Sequence, residues 1–453
     1  MTASKDEAGL AAFIEAACVP LDRGHASGTL ERAQEILAAH PPIATGSVHA
    51  AAILGDDATV RRFLDLDPGS ATAKGGPRQW DALTHLCFSR YLRLDRPRSA
   101  GFVRAAEALL DAGASANTGF FSDDHQPNPE FESVLYGAAG VAHDAELTRL
   151  LLDRGADPND GEVPYHAPET YDNAALHVLV ASGKMTADSL ATMLLRKHDW
   201  HDYEGIAWLL EHSADPNRMT RWGYTAVHQA IRRDNDVRIV ERLLDHGADP
   251  RLPAHGRSAI AMAAQDGRGD VLDLFERRGI PIDLHGTEQL LAACARNDGE
   301  SIRSIVDREP HLVSHILSEG ARLLTEFAGI GNTDGVRHLL DLGVDVNAVN
   351  EEGDGYWGIA KRSTALHVAA WRARHATVKL LVERGAAVDL PDAKGRTPLA
   401  LAVRACVDSY WTRLRSPESV AALLEAGASV QRVDVPSGYA EVDELLRQRA
   451  RKA

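Results

Sequence analysis

A chain of 453 residues with 49 basic and 65 acidic side chains carries a formal charge of −16 and is long enough to bury a large core. Its 44% apolar and 25% charged residues exclude a disordered polar chain, and no apolar run reaches the ~18 residues of a spanning helix. The acidic balance argues against nucleic acid and anionic membranes as partners.

From the N-terminus, the first stretch has acidic residues on both sides of its apolar segment and no basic region before it. A secretory leader is therefore not expected, and the chain reads as cytoplasmic. Cys18, Cys87, Cys294 and Cys406 lie far apart, form no CxxC pair and are expected to be reduced core residues. Helical segments are predicted near 9–39 and 46–66. The stretch THLCFSRYLRLDRPR then displays Arg90, Arg93, Arg96 and Arg98, read as a solvated or salt-bridged face with an acidic-partner site as the alternative.

From Leu109 onward one phrase recurs: LLDAGASAN, LLDRGADPN, LLEHSADPN, LLDHGADPR, LLDLGVDVN, LVERGAAVD and LLEAGASVQ, with a weaker copy LFERRGIPID. The Gly or Ser that ends each helical part falls at 113, 155, 213, 247, 279, 343, 385 and 427. Seven residues upstream stand Ala106, Thr148, Ile206, Val240, Leu272, Val336, Val378 and Val420; four upstream, every residue is Leu or Phe. Offsets of three and four share a helix face, so each phrase is an amphipathic helix whose Gly supplies a left-handed stop. The Asp or Asn that follows, as in Asp157 with Asn159, is turn chemistry. Upstream of several phrases lie AALH (His177), TAVH (His228) and TALH (His367), where a Thr or Ser commonly opens a second, Ala-rich helix.

Departures from this pattern are the candidate working parts. Gly119 to Glu132 and Asp160 to Asp172 interrupt neighbouring repeats and are predicted to lie side by side. Together they carry Asp123, Asp124, Glu130, Glu132, Asp160, Glu162, Glu169 and Asp172, no Lys or Arg, and Phe120, Phe121, Phe131, Tyr165, Tyr171, His125 and His166. An acidic cleft lined by aromatic rings prefers a cationic ligand. A helix is predicted near Ala187 to Leu195, followed by RKHDWHDY, Arg196 to Tyr203. Here His198 and His201 stand three apart, with Asp199 and Asp202 nearby as metal ligands; HxxH alone is a weak motif, and a hydrogen-bonded cluster around Trp200 is the competing reading. A third insertion, Asn350 to Arg362, is predicted to expose Tyr356 and Trp357 at a glycine-flanked tip.

The two phrases together resemble the ankyrin repeat family. Its TPLHxAA and VVxLLLxxGADxN pattern is met nearly in full from Thr364 to Asp389 and closely from Thr225 to Asp249. The resemblance implies an all-α solenoid of about eleven to twelve helix-turn-helix units over 42–431. Capping helices are expected at 1–41, and a capping helix with a basic tail at 432–453. Insertions are expected near 88–100, 119–132, 160–172, 184–202, 350–362 and 404–416. It further implies that the histidines of the TPLH position, His49 among them, join hydrogen bonds between repeats. The function expected is a recognition scaffold whose concave face holds a protein partner or cationic ligand. No cofactor is implied, and no Gly-rich phosphate loop, GxSxG or HExxH motif is present. The alternative is a small-molecule enzyme, metal-assisted in one version, between the finger loops and Arg196 to Tyr203.

Overall fold

The computed structural model describes residues 5–19, 28–122, 128–409 and 411–452. The chain divides into two compact units, Met1–Gln229 with His246–Ala248, and Ala230–Asp245 with Asp249–Ala453. Both are built from pairs of short helices. No helix among the described residues is long and apolar enough to cross a membrane.

In the first unit the pairs include Val48–Ile53 with Asp57–Leu66, Ala82–Cys87 with Ser99–Asp111, and Ala187–Asp199 with Tyr203–Glu211. Their predicted stripe positions Ala106, Leu109, Thr148, Leu151, Ile206 and Leu209 are all 0% exposed. The second unit repeats this with Ala259–Gln265 and Gly269–Arg277, Gly320–Ile330 and Thr333–Asp341, Ala365–Trp371 and His375–Glu383, and Pro398–Val407 and Glu418–Glu425. Leu272, Phe275, Val336, Leu339, Val378, Leu381, Val420 and Leu423 are buried as completely. Burying each large apolar side chain of this kind contributes about 1.5–3 kcal/mol, so the stripes supply the cohesion between consecutive pairs.

Each phrase ends as its residues require. The seven predicted stop glycines have φ between +71° and +104°, and Ser213 takes the same left-handed conformation at φ +73°. The Asn or Asp that closes such a turn reaches forward to the next repeat. Asn117 donates to the Gly155 carbonyl (2.9 Å) and accepts from the Asp157 amide (2.8 Å), and Asn159 does the same toward Lys184 and Thr186. Asn217 donates to Gly247, and Asn347 and Asp389 accept from the amides of Ala387 and Ser429. The chain's turn chemistry is thus also its cross-linking between adjacent turns.

The TPLH histidines bond at their own helix start, as at His367 and His228, and across to a following segment, as at His49. His367 Nδ1 lies 3.1 Å from the Thr364 amide in a capping arrangement, His228 Nδ1 lies 2.7 Å from Thr225 Oγ1, and His49 Nε2 is 2.9 Å from the Ala73 carbonyl. His177 instead packs its ring on Trp208 at 4.0 Å. The four cysteines are free and buried, and burial pushes the Cys18 and Cys294 thiols up to about 12.

Candidate functional site

The first finger is an antiparallel hairpin, Gly119–Phe121 paired with Phe131–Ser133 in the register Phe120 to Glu132 and Phe121 to Phe131. The strands approach so closely that a Cβ on Gly119 would sit 2.1 Å from the Glu132 carbonyl oxygen, which is why glycine stands there. Alternation along the strand sends its two aromatic residues opposite ways. Phe120 turns inward, stacked on Trp80 at 4.2 Å and edge-on to Phe88 at 5.0 Å, so it braces the finger instead of facing a partner. Phe121 turns outward, 65% exposed, with Phe131 beside it at 5.2 Å. Asp123, Asp124 and His125 lie outside the described residues; Glu130 is half-buried at the hairpin's return.

The second finger packs against the first, as predicted. Asp160 accepts from the Ser133 hydroxyl and from the Val163 amide, and so opens the short helix Glu162–His166 beside the hairpin. On that helix His166 is held between two carboxylates, Nε2 3.1 Å from Glu162 and Nδ1 2.9 Å from Glu169. Burial opposes the imidazolium, but the hydrogen bonds and charges of the two carboxylates prevail and raise it to about 9. Burial likewise works against ionised Glu162 and Glu169; the bonds and charge of His166, joined by Arg196 at Glu169, hold both below the ordinary carboxylate range. Glu132, 5% exposed, behaves in the opposite way. Burial, then the charge of Glu162, push it up to about 8, and its Oε2 has no hydrogen-bond partner among the described residues.

The expected cation-seeking cleft also holds a cation of the chain's own. The loops contain no Lys or Arg, yet Arg196 enters from the helix Ala187–Asp199 and bonds Glu169 and Asp199, with its Nε on the Tyr165 carbonyl at 3.3 Å. Its guanidinium also lies 3.9 Å over the Tyr165 ring. Glu162, Glu169 and Asp160 thus have partners within the fold. Their acidity fixes the fingers to the scaffold and leaves Phe121 and Tyr171, at 65% and 68% exposure, as the aromatic surface. Tyr171 is itself positioned, its hydroxyl donating to the Trp200 carbonyl at 2.8 Å and its ring edge-on to Trp200 at 5.4 Å.

The RKHDWHDY segment resolves as a structural cluster. The predicted helix extends to Asp199 and carries Lys197 and His198 fully buried. Lys197 Nζ reaches the Thr170 carbonyl of the second finger (2.5 Å) and Asp202 (2.8 Å), while Asp202 also accepts from Asn173 and from the Gly205 amide that opens the next helix. His198 Nδ1 lies 2.7 Å from the Leu194 carbonyl, and burial takes its imidazole down to about 4. Asp199 is engaged by Arg196 and by Gln229 (2.6 Å), and His201 sits on a left-handed turn at φ +52°. The proposed ligand set His198, His201, Asp199 and Asp202 is thus dispersed among separate partners. Among the described residues no three His, Cys, Asp or Glu side chains are placed to hold a metal ion.

The third insertion, in the second unit, folds back. Backbone bridges Asn350 to Ser363 and Asp354 to Ile359 close it, and the Asp354 carboxylate accepts from the amides of Tyr356 (2.8 Å) and Trp357 (3.2 Å). Both rings, predicted at an exposed tip, are half-buried under guanidinium groups: Arg233 at 3.5 Å from the Tyr356 centroid and Arg372 at 3.7 Å from that of Trp357. Trp371 Nε1 donates to the Trp357 carbonyl at 2.5 Å. Arg372 in turn pairs with Asp234 at 2.8 Å, which also receives Arg374. These arginines carry no periodic signature, and only their placement beside the aromatic loop identifies them.

Comparison with known proteins agrees with the repeat pattern. The model for ankyrin repeats (three copies) matches residues 197–285 and 324–434. The ankyrin repeat domain-containing protein SAT10 of Stachybotrys chartarum is 27% identical over 324 residues, 67% of this chain and 14% of the relative. The ankyrin repeat and KH domain-containing protein 1 of Homo sapiens is 33% identical over 117 residues, 26% of this chain and 4% of its own. The chain thus spans at most 14% of the length of these two relatives. The crystal structure of the human ASB11 ankyrin repeat domain aligns over 56% of this chain and 96% of its own, at 19% identity and a TM-score of 0.26.

Proposed function

Because this chain is an ankyrin-repeat protein, its repeats matched over 197–285 and 324–434, we propose that it works as a recognition scaffold whose finger loops hold a protein partner. One observation carries the reading: Phe121 stands 65% exposed on a hairpin fixed from behind by the Phe120 stack on Trp80 and by the ion network around His166. A singly exposed aromatic residue is ordinary on a protein surface, whereas one held on a rigid support is preorganised to anchor a partner. Tyr171 supplies a second anchor of the same kind. The carboxylates serve this function indirectly, since ions bound to one another hold loops that a repeat's own helices cannot. Cation capture is the weaker form of the reading, because the described finger carboxylates around His166 are already paired.

The test is quantitative capture from the native host's extract on immobilised wild-type chain, Phe121→Ala and Tyr171→Ala. The expected result is a saturable partner whose retention falls at least tenfold, or about 1.4 kcal/mol, in one of the variants at unchanged melting temperature. Equal retention on all three surfaces would overturn the assignment.

A further inference from the structure

A second feature of the first unit is a cleft of about 550 Å³ beside the turns that follow Asp157 and Asp215, along the start of the helix Ala187–Asp199. That volume falls within the ~300–1,000 Å³ of ligand-holding clefts. Most of its polar lining is already engaged. Asn159 bonds Lys184 and Thr186, Thr186 and Ser189 bond each other, Asp188 holds Arg218 at 2.6 Å, and the hydroxyls of Thr192 and Thr220 bond backbone carbonyls. Two lining residues are different. Met219 is 42% exposed. Arg221 is exposed and, among the described residues, has neither an ion pair nor a hydrogen bond.

Arg221 is nonetheless held in place. Its guanidinium lies 4.5 Å over the Trp222 ring and 6.0 Å from the Tyr165 ring, which also neighbours Arg196, His166 and Trp222. Stacking of this kind fixes the plane of the group and leaves its N–H edges for a planar acceptor, which is the geometry of carboxylate recognition. Asp188 is paired with Arg218, which leaves Arg221 as the cleft's remaining cation; its charge also helps hold Glu162 ionised, but none of its N–H groups is committed to that carboxylate.

We propose that this cleft takes a short acidic stretch of a partner's chain, a Glu or Asp carboxylate on Arg221 and an adjoining apolar side chain on Met219. The proposal rests on the recognition-scaffold reading and names the chemistry of one of its subsites. A peptide is favoured over a free anion because one carboxylate fills little of 550 Å³ and makes no use of the exposed thioether.

The experiment uses the full chain labelled at its methionine methyl groups, with the Met219 resonance assigned through Met219→Leu and the buried Met193 as internal control. The probes are acetyl-Leu-Glu-Leu-amide, its Gln isostere, and free glutamate. The expected result is a saturable Met219 shift with the Glu peptide, its dissociation constant roughly fivefold or more below that of the Gln peptide and raised by a similar factor in Arg221→Gln. Equal titration by the two peptides, no effect of Arg221→Gln, or no Met219 shift with any probe would each overturn the proposal. Free glutamate acting as strongly as the Glu peptide would also overturn it, reassigning the cleft to small anions. Partner capture through Phe121 is unaffected by any of these outcomes and fails or stands by its own measurement.

Discussion

Glu132→Gln isolates a buried finger carboxyl that the structure keeps neutral. Its folded value, about 8 against 4.5 for an ordinary glutamate, means the folded chain holds this proton more tightly than the unfolded one. The sign follows from linkage: the stabilisation is complete below pH 4.5 and is lost as pH rises through 8. At about 1.4 kcal/mol per pH unit, the wild type loses roughly 2–3 kcal/mol between pH 6 and pH 8 on this account, and the glutamine, which has no proton to lose, does not. His166, raised to about 9, gives a loss of the same sign between pH 6.5 and 9 in both proteins, so it cancels in their difference. Urea unfolding of wild type and variant at half-unit steps from pH 5.5 to 8.5 provides the assay. The variant is expected to match the wild type within about 1 kcal/mol at pH 5.5 and to gain on it steadily up to pH 8. A difference that stays flat across the series would refute the neutral-acid assignment, and with it the account of how Glu162 and His166 are charged.

Lys197→Met removes the cation that neutralises Asp202 and ties down the Thr170 carbonyl, and should cost about 3–5 kcal/mol in urea unfolding. Adding Asp202→Asn should recover part of that loss. Arg372→Ala uncovers the Trp357 ring while Asp234 keeps Arg374; a loss of about 2 kcal/mol is expected, with a change in tryptophan emission that Arg384→Ala, at an exposed pair with Asp341, does not reproduce. The buried thiols should leave a thiol-reactive dye unreduced in native buffer and titrate as four groups in urea, so stoichiometric native reaction would place a cysteine at the surface.

Helix pairing, stripe burial and the left-handed stops were legible because each is written in local spacing. Ser213 was placed correctly without glycine by its neighbours alone. The insertions were legible as departures, and the adjacency of the first two followed from repeat order. What the residues could not reveal was where charges meet. Arg196 and Lys197 lie about thirty residues from the finger groups they bind, and nothing in a 3.6-residue period registers a contact across repeats. For the same reason Phe120 and Phe121 looked equivalent until the strand pairing set one inward and the other outward, and Tyr356 and Trp357 looked exposed until Arg233 and Arg372 covered them.

The forward-reaching Asn and Asp side chains also have a mechanical consequence. Each fastens its own turn to the one that follows it, so within either compact unit a pull along the chain loads these fasteners in series, one at a time. Such a unit should yield like a zip, in small equal steps, and re-engage from whichever tooth is still closed.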